Sequence, residues 1–281
     1  MGQPDCLPYD IEQPVRSEAV LLASFAPSDG HGFTIRLCRY PTASIAWLWV
    51  QSFLPDGSVH TFNIDHLPCG SEPVDPDRPE VDYRIDGVAF ERSGDRNEPA
   101  SANVRASVRA HASSVAPDVP GRVALDVAAS FVPFAAGGPS ARGRSEVHGR
   151  VSGTVTIEGV AHEITGVGQW HEQLQDQPRF RAPFTYACLI GERESVVGVV
   201  SGDFSRGTLR EVARSRALGS LRIEPRGDRF LITADDRSFT ASVTHRTTIP
   251  LYGLPWHGTR VIAEGNTGPL AGMINSFDPS G

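Results

Sequence analysis

The sequence contains no lysine: all 26 of its basic residues are arginine. Schiff-base chemistry, which needs a lysine amine, is thereby excluded. Against 33 acidic residues the formal net charge is −7, and no basic run stands out, so no nucleic-acid partner is expected. Cysteine is scarce as well. Cys6, Cys38, Cys69 and Cys188 lie far apart with no C-x-x-C pair, which excludes a zinc ribbon and a dithiol redox motif. Reduced thiols in a cytoplasmic protein are the expectation. His66 and Cys69 in DHLPCG are of metal-ligating type, but no second pair follows, so no metal site is expected.

Long apolar runs are missing too. The N-terminal run AVLLASFA, residues 19–26, follows Asp5, Asp10, Glu12 and Glu18 in place of a basic segment, so it does not read as a signal peptide. No stretch approaches the roughly 20 apolar residues of a membrane-spanning helix. There is no Walker loop, no G-x-G-x-x-G opening a helix, no H-E-x-x-H and no G-x-S-x-G. ATP use, nicotinamide chemistry, zinc proteolysis and α/β-hydrolase chemistry therefore have no support, and no cofactor is expected.

What is present is alternation. Hydrophobic residues make up 40% and charged residues 21% of 281, a composition that folds. FTIRLCRY leads through Pro-Thr into ASIAWLWVQSFL, where Ile45, Trp47 and Trp49 share one face at period two. A PDG turn and VHTFNI follow. ANVRASVRAHASS and RVALDVAASFVPF form a further hairpin candidate around APDVPG. VHGRVSGTVTI and VAHEITGVGQW flank the two-residue turn Glu158-Gly159. TLREVARSRAL, residues 208–218, has helical spacing at Leu209, Val212 and Ala213. The stretch AAGGPSARGRSE suspends the alternation and marks a division into residues 1–143 and 144–281. About sixteen short strands and almost no helix predict an all-β chain of two antiparallel barrels or sandwiches, whose interiors suit apolar ligands.

Chemistry concentrates at ITGVGQWHEQLQ. On a strand, Trp170 and Glu172 share one face and His171 takes the other; a break in the strand would bring all three to one cavity mouth. A histidine beside a carboxylate can move protons near neutral pH, and a wall of Trp170, Phe184 and Tyr186 would raise the carboxyl's proton affinity. The plain alternative is that His171 and Glu172 only hydrogen-bond nearby backbone. Further candidates are Asp203 in SGDFSRG as a second acid, Tyr252, Trp256 and His257 in PLYGLPWHG, and Asn275 in MINSF, with Trp47 and Trp49 as apolar walls. Ordinary turn or core roles remain open for each of these.

The Gly-x-Gly strand end before a His-bearing motif, the downstream aromatic strand, and GFTIRLCRYP with AWLWVQSFLPDG resemble the lipocalin-like carotenoid 1,2-hydratase (hydroxyneurosporene synthase) superfamily, which includes tandem-barrel proteins of unknown function and lipocalin-like pericyclases. The likeness runs from about residue 15 to about residue 265, through spacing more than strict motifs. It implies two lipocalin-like domains, an apolar pocket between or within them, and, in the hydratase branch, cofactor-free protonation of an isoprenoid double bond. Trp170 precedes His171 here and no tryptophan follows, so the order departs from that branch; Tyr186 and Asp203 are only approximate counterparts. Three functions are carried forward. The first is an acid-catalysed hydratase, isomerase or cyclase of a terpenoid-like or polyketide-like molecule, with Glu172 or Asp203 donating the proton, His171 relaying it, and Trp170, Tyr186 and Trp256 shielding a cation. The others are a pericyclase working by preorganisation, with His171 or Tyr186 as hydrogen-bond donor, and a binding protein for a hydrophobic small molecule.

Overall fold

The computed structural model describes residues 16–75, 78, 80–94, 105–115, 122–134, 143–176, 182–212, 214–251 and 254–279. These residues form nineteen strands and one turn of 3-10 helix, Pro41–Ala43. The first ten strands are β1 (Ser17–Phe25), β2 (Gly32–Tyr40), β3 (Ile45–Phe53), β4 (Val59–Pro68), β5 (Glu80–Ile85), β6 (Val88–Ser93), β7 (Arg105–Val115), β8 (Arg122–Pro133), β9 (Arg144–Ile157) and β10 (Val160–Gln175). They make one antiparallel sheet in the order β4-β3-β2-β1-β10-β9-β8-β7-β6-β5. The remainder are β11 (Phe184–Ile190), β12 (Glu194–Ser201), β13 (Phe204–Glu211), β14 (Arg214–Ala217), β15 (Leu221–Arg226), β16 (Arg229–Ala234), β17 (Arg237–Leu251), β18 (Leu254–Gly265) and β19 (Gly268–Phe277). They make the second sheet, β14-β13-β12-β11-β19-β18-β17-β16-β15. In each sheet the first and last strands meet in the middle, so hairpins spread outward from a central pair.

Each sheet curls into a half-barrel around its own core. Val20, Leu22, Ile35, Leu48, Val151 and Trp170 belong to the first core, and Leu189, Val196, Ile232, Val261 and Ile274 to the second. The opposite faces of the central strands pack against each other. Leu21, Ala23, Phe25 and Val167 meet Cys188, Ile190, Val197 and Met273, while Trp47 and Trp49 meet Ile249, Trp256 and Phe277. This explains why all nine residues of β1 are buried: even positions fill the first core and odd positions fill the layer between sheets.

The local sequence accounts for much of this. At the β9–β10 hairpin Glu158 and Gly159 both take positive φ, 50° and 81°, as a type I′ turn requires. Gly168 faces the first core beside its cross-strand partner Gly149. A Cβ there would lie 2.3 Å from both the Ala23 carbonyl oxygen and Val151 Cγ2, so glycine permits the close approach of three strands in the curl.

Two expectations differ. Residues 208–218 contain the second half of β13 and all of β14, not a helix; Ala213 lies outside the described residues. Leu209 docks into the second core at period two, whereas Val212 lies at the turn with φ 54° and 51% exposed. The division expected at 143/144 falls inside the first sheet, because β9 pairs with β10 from Arg144 to Ile157 and with β8 from Gly149 to Ile157; the sheets change over between Gln175 and Phe184. Residues 135–142 themselves, and Cys6, lie outside the described residues. Cys38, Cys69 and Cys188 form no disulfide. Among the described residues no helix is long and apolar enough to cross a membrane.

Candidate functional site

A cavity of about 220 Å³ opens between the two sheets. Its first wall comes from β1, β2, β9 and β10 and is polar. Arg36, Arg144, Gln169, His171, Gln173 and Gln175 line it, with Leu21 as the apolar floor. Gln169, His171, Gln173 and Gln175 fall on one face of β10 simply because they are spaced by two. The second wall, from β11, β12, β18 and β19, is formed by Phe184, Tyr186, Val199, Trp256, Met273 and Asn275. Trp256 also contacts Phe184 and Trp49, with ring centroids 5.5 and 5.0 Å apart, which fixes the aromatic side.

Behind the polar wall is Glu146 of β9. Its Oε1 gathers the hydrogen bonds of Tyr186 Oη at 3.1 Å, Gln169 Nε2 at 3.2 Å, His171 Nδ1 at 3.2 Å, and the Arg144 guanidinium. Gln169 Nε2 also donates to Tyr186 Oη at 2.8 Å, so the phenol's own hydrogen is directed to Glu146. Burial by itself would raise the Glu146 carboxyl, but Arg144 and then the His171 hydrogen bond outweigh it and hold it well below the usual carboxylate range. Glu146 is therefore an ion at neutral pH.

That charge sets the histidine. An ionised carboxylate only accepts, so His171 Nδ1 carries the hydrogen and Nε2 keeps its lone pair. Burial pushes the His171 imidazole down to about 4 against the pull of Glu146, leaving it neutral at physiological pH. Burial likewise raises the Tyr186 hydroxyl well above its ordinary value, so it stays protonated. The cluster offers a neutral imidazole base held by a carboxylate that also holds the phenol's hydrogen, and two guanidiniums beside an aromatic wall. Such a set can accept a proton and stabilise developing negative charge.

The structure brings together only part of the expected set. His171, Phe184, Tyr186, Trp256 and Asn275 line the cavity; Trp49 stacks beneath the lining Arg36, and Trp47 stacks on Trp49. Glu172 does not reach it. Strand β10 runs unbroken, so Glu172 and Trp170 face the first core, where Glu172 Oε1 takes hydrogen bonds from Arg92 Nε at 2.5 Å and Trp170 Nε1 at 2.8 Å. Asp203 is exposed in the β12–β13 turn, and His257 points to solvent, its Nδ1 3.0 Å from Thr248 Oγ1. Tyr252 lies outside the described residues. Among the described residues no group of three or more His, Cys, Asp or Glu is placed to hold a metal.

Sequence reading missed Glu146, Arg144 and Arg36. The signal was there in RSEVHGRV, where Arg144, Glu146 and His148 alternate with the first-core residue Val147; charged side chains recurring every second position on a strand buried on both faces mark a polar site between layers.

Comparison with solved structures supports the fold. An AttH protein from Nitrosomonas europaea aligns with a TM-score of 0.61 and 11% identity over 96% of this chain and 94% of its own. Kievitone hydratase from Nectria haematococca aligns at 0.57 and 9% identity over 98% and 93%. CghA bound to Sch210972 aligns at 0.52 and 12% identity over 94% and 89%. At these identities the likeness is one of fold, and it is the lipocalin-like fold that the resemblance implied. No curated protein matches the sequence. A family profile does match residues 8–170, more than half the chain, and the protein belongs to that family, described as a domain of unknown function (DUF7064).

Proposed function

We propose that the cavity between the sheets is the active site of a cofactor-independent lyase or isomerase, which hydrates, isomerises or cyclises a C=C bond of a small, largely apolar molecule of terpenoid-like or polyketide-like type. The observation that carries the reading is the His171 Nδ1 to Glu146 Oε1 contact of 3.2 Å at the lip of an aromatic cavity. A neutral imidazole so held is a base, which reverses the order expected from the sequence: the proton is first taken, then returned. In a hydration, His171 Nε2 would take a proton from water as its oxygen bonds one alkene carbon, and return it to the neighbouring carbon. Neither Glu172 nor Asp203 takes part. At about 220 Å³ the space is below the ~300–1,000 Å³ of drug-sized pockets, which favours a small substrate or one part of a longer chain. That a hydratase shares the fold supports the class by analogy.

A second reading is favoured by the three glutamines on β10, which can hydrogen-bond a ligand without moving a proton: a binding protein, or a pericyclase acting by substrate preorganisation. One experiment separates them. Mass spectrometry of the apolar extract of freshly purified protein identifies the ligand, which is then incubated with wild type and His171→Ala. The enzymatic reading expects a hydrated or isomeric product from wild type and its loss in the variant. A ligand recovered unchanged would leave binding alone, and an equal yield from His171→Ala would leave preorganisation.

A further inference from the structure

The cavity reaches the ends of its strands. Arg144, Gln175 and Phe184, which line it, are the first residue of β9, the last of β10 and the first of β11. A second space, a groove of about 470 Å³, lies at the same end of the second sheet, and Phe184 lines both. Otherwise the linings alternate along the strands. Val199, Tyr186 and Asn275 face the cavity, whereas Val200, Thr185 and Ser276 face the groove, and each trio is a row of cross-strand partners on β12, β11 and β19. Successive residues of a strand point to opposite faces, so the groove continues the face on which Ala187 and Leu189 fill the second core. The rim that carries Phe184 parts the two spaces.

Size and surface chemistry both join them. The cavity alone, at about 220 Å³, is below the ~300–1,000 Å³ that ligand pockets usually span, and cavity and groove together fall inside that range. The rim between them is aromatic: the Phe184 ring centroid is 5.5 Å from that of Trp256 and 6.3 Å from that of Phe277, so a chain leaving the cavity stays on apolar surface. Beyond the rim, Pro183, Val200 and Phe277 continue that surface, and Thr185 and Ser276 add hydroxyls. Among the described residues no arginine lines the groove, so a carboxylate entering it would give up water without meeting a guanidinium.

Resting on the reading of the cavity as a ligand site, we propose that the substrate is an elongated molecule with an uncharged tail: its reacting part occupies the cavity, and its tail crosses Phe184 into the groove. The length of the tail sets how far the chain is drawn past His171, and thereby which carbon meets the imidazole.

The test titrates three phenols against the full chain by calorimetry: 4-ethylphenol, 4-octylphenol and 8-(4-hydroxyphenyl)octanoate. Wild type is expected to bind the octyl probe at least about tenfold tighter than the ethyl probe, the gain of roughly two buried methylenes, and to lose that gain when the tail ends in a carboxylate. Val200→Trp and Ser276→Trp, which fill the groove from two different strands, are each expected to erase the octyl advantage; an unchanged affinity for 4-ethylphenol shows the cavity intact. Equal affinity for the ethyl and octyl probes in wild type, or an undiminished octyl advantage in either variant, would overturn the tail groove while leaving the cavity a ligand site. An octanoate tail bound as tightly as the octyl one would overturn the uncharged class. Failure of 4-ethylphenol to bind wild type would overturn the site reading as well.

Discussion

Two of the buried histidines in the layer between the sheets, His171 and His148, come from neighbouring strands, and of these only His171 lines the cavity. His171 of β10 is hydrogen-bonded to Glu146 beside the aromatic wall. His148 of β9, two residues along the same strand face from Glu146, has its Nδ1 2.9 Å from Ser195 Oγ; Arg210 Nε donates to that hydroxyl at 3.2 Å, and Arg210 Nη2 to the Gly191 carbonyl at 2.7 Å. Burial pushes both imidazoles down to about 4; Arg210 adds to the shift at His148, and Glu146 works against it at His171. By residue type the second cluster, a serine beside a histidine, looks the more catalytic. Its atoms are closed in, with Ser195 1% and Arg210 3% exposed, so no substrate reaches them. Access to a void, more than a perturbed pKa, distinguishes a candidate site from a polar joint.

The strongest way to break this comparison is to remove each imidazole. His171→Ala is expected to lower kcat/KM by about 10²–10⁴-fold on the substrate identified above, the usual contribution of a positioned acid or base, with the native circular dichroism retained. His148→Ala should leave turnover within a few-fold and lower stability instead. An inverted pattern would move the active site to the other end of the layer.

Acid pH sharpens the same contrast. Each imidazole is held down to about 4 in the fold, against about 6.5 in the unfolded chain. The unfolded chain thus binds more protons between those values, and stability falls as the pH drops through that window, by on the order of 3 kcal/mol per histidine. Glu146 adds a further loss only lower down, since a depressed carboxylate contributes stability above its unfolded value, ~4.3, that vanishes as the pH falls toward the folded one. Urea midpoints measured from pH 7.5 to 4 should fall less in His148→Asn and in His171→Asn than in wild type, to a similar degree. Activity should separate them: the acid limb of kcat/KM belongs to His171 and lies near 4, well below the 6.5 of a free imidazole.

Smaller effects are expected away from the cavity. Ser195→Ala leaves His148 Nδ1 and Arg210 Nε without that hydroxyl and should cost about 1–3 kcal/mol in urea unfolding, with probe binding in the cavity unchanged. His257→Ala, on the solvent side of β18, should shift neither stability nor turnover beyond about 0.5 kcal/mol.

Much of the architecture could be read from alternation and turns. The Glu158-Gly159 turn, the hairpins around it and the lack of helix were legible because side-chain period and positive φ are local properties. The helical reading of 208–218 failed because three apolar positions fit more than one period, and only docking of Leu209 into a core chooses between them. At the site, His171 and Tyr186 stood out by type, whereas Glu146 and Arg144 were hidden in an ordinary-looking strand 25 residues or more upstream of His171. Glu172 was misplaced for a simple reason: adjacent residues of an unbroken strand point to opposite faces, and the opposite face here is an apolar core with its own arginine.

The sequence by itself determined that this chain is predominantly β, that His171 and Glu172 point apart on a regular strand, and that no lysine chemistry is open to it. Which of those two faces the ligand was decided only by tertiary structure. Around His171 both faces of β10 are buried, so hydrophobicity does not distinguish them; one is closed by the curl of its own sheet, the other by a second sheet that leaves a gap. A gap is a property of two surfaces meeting, and no single strand encodes it.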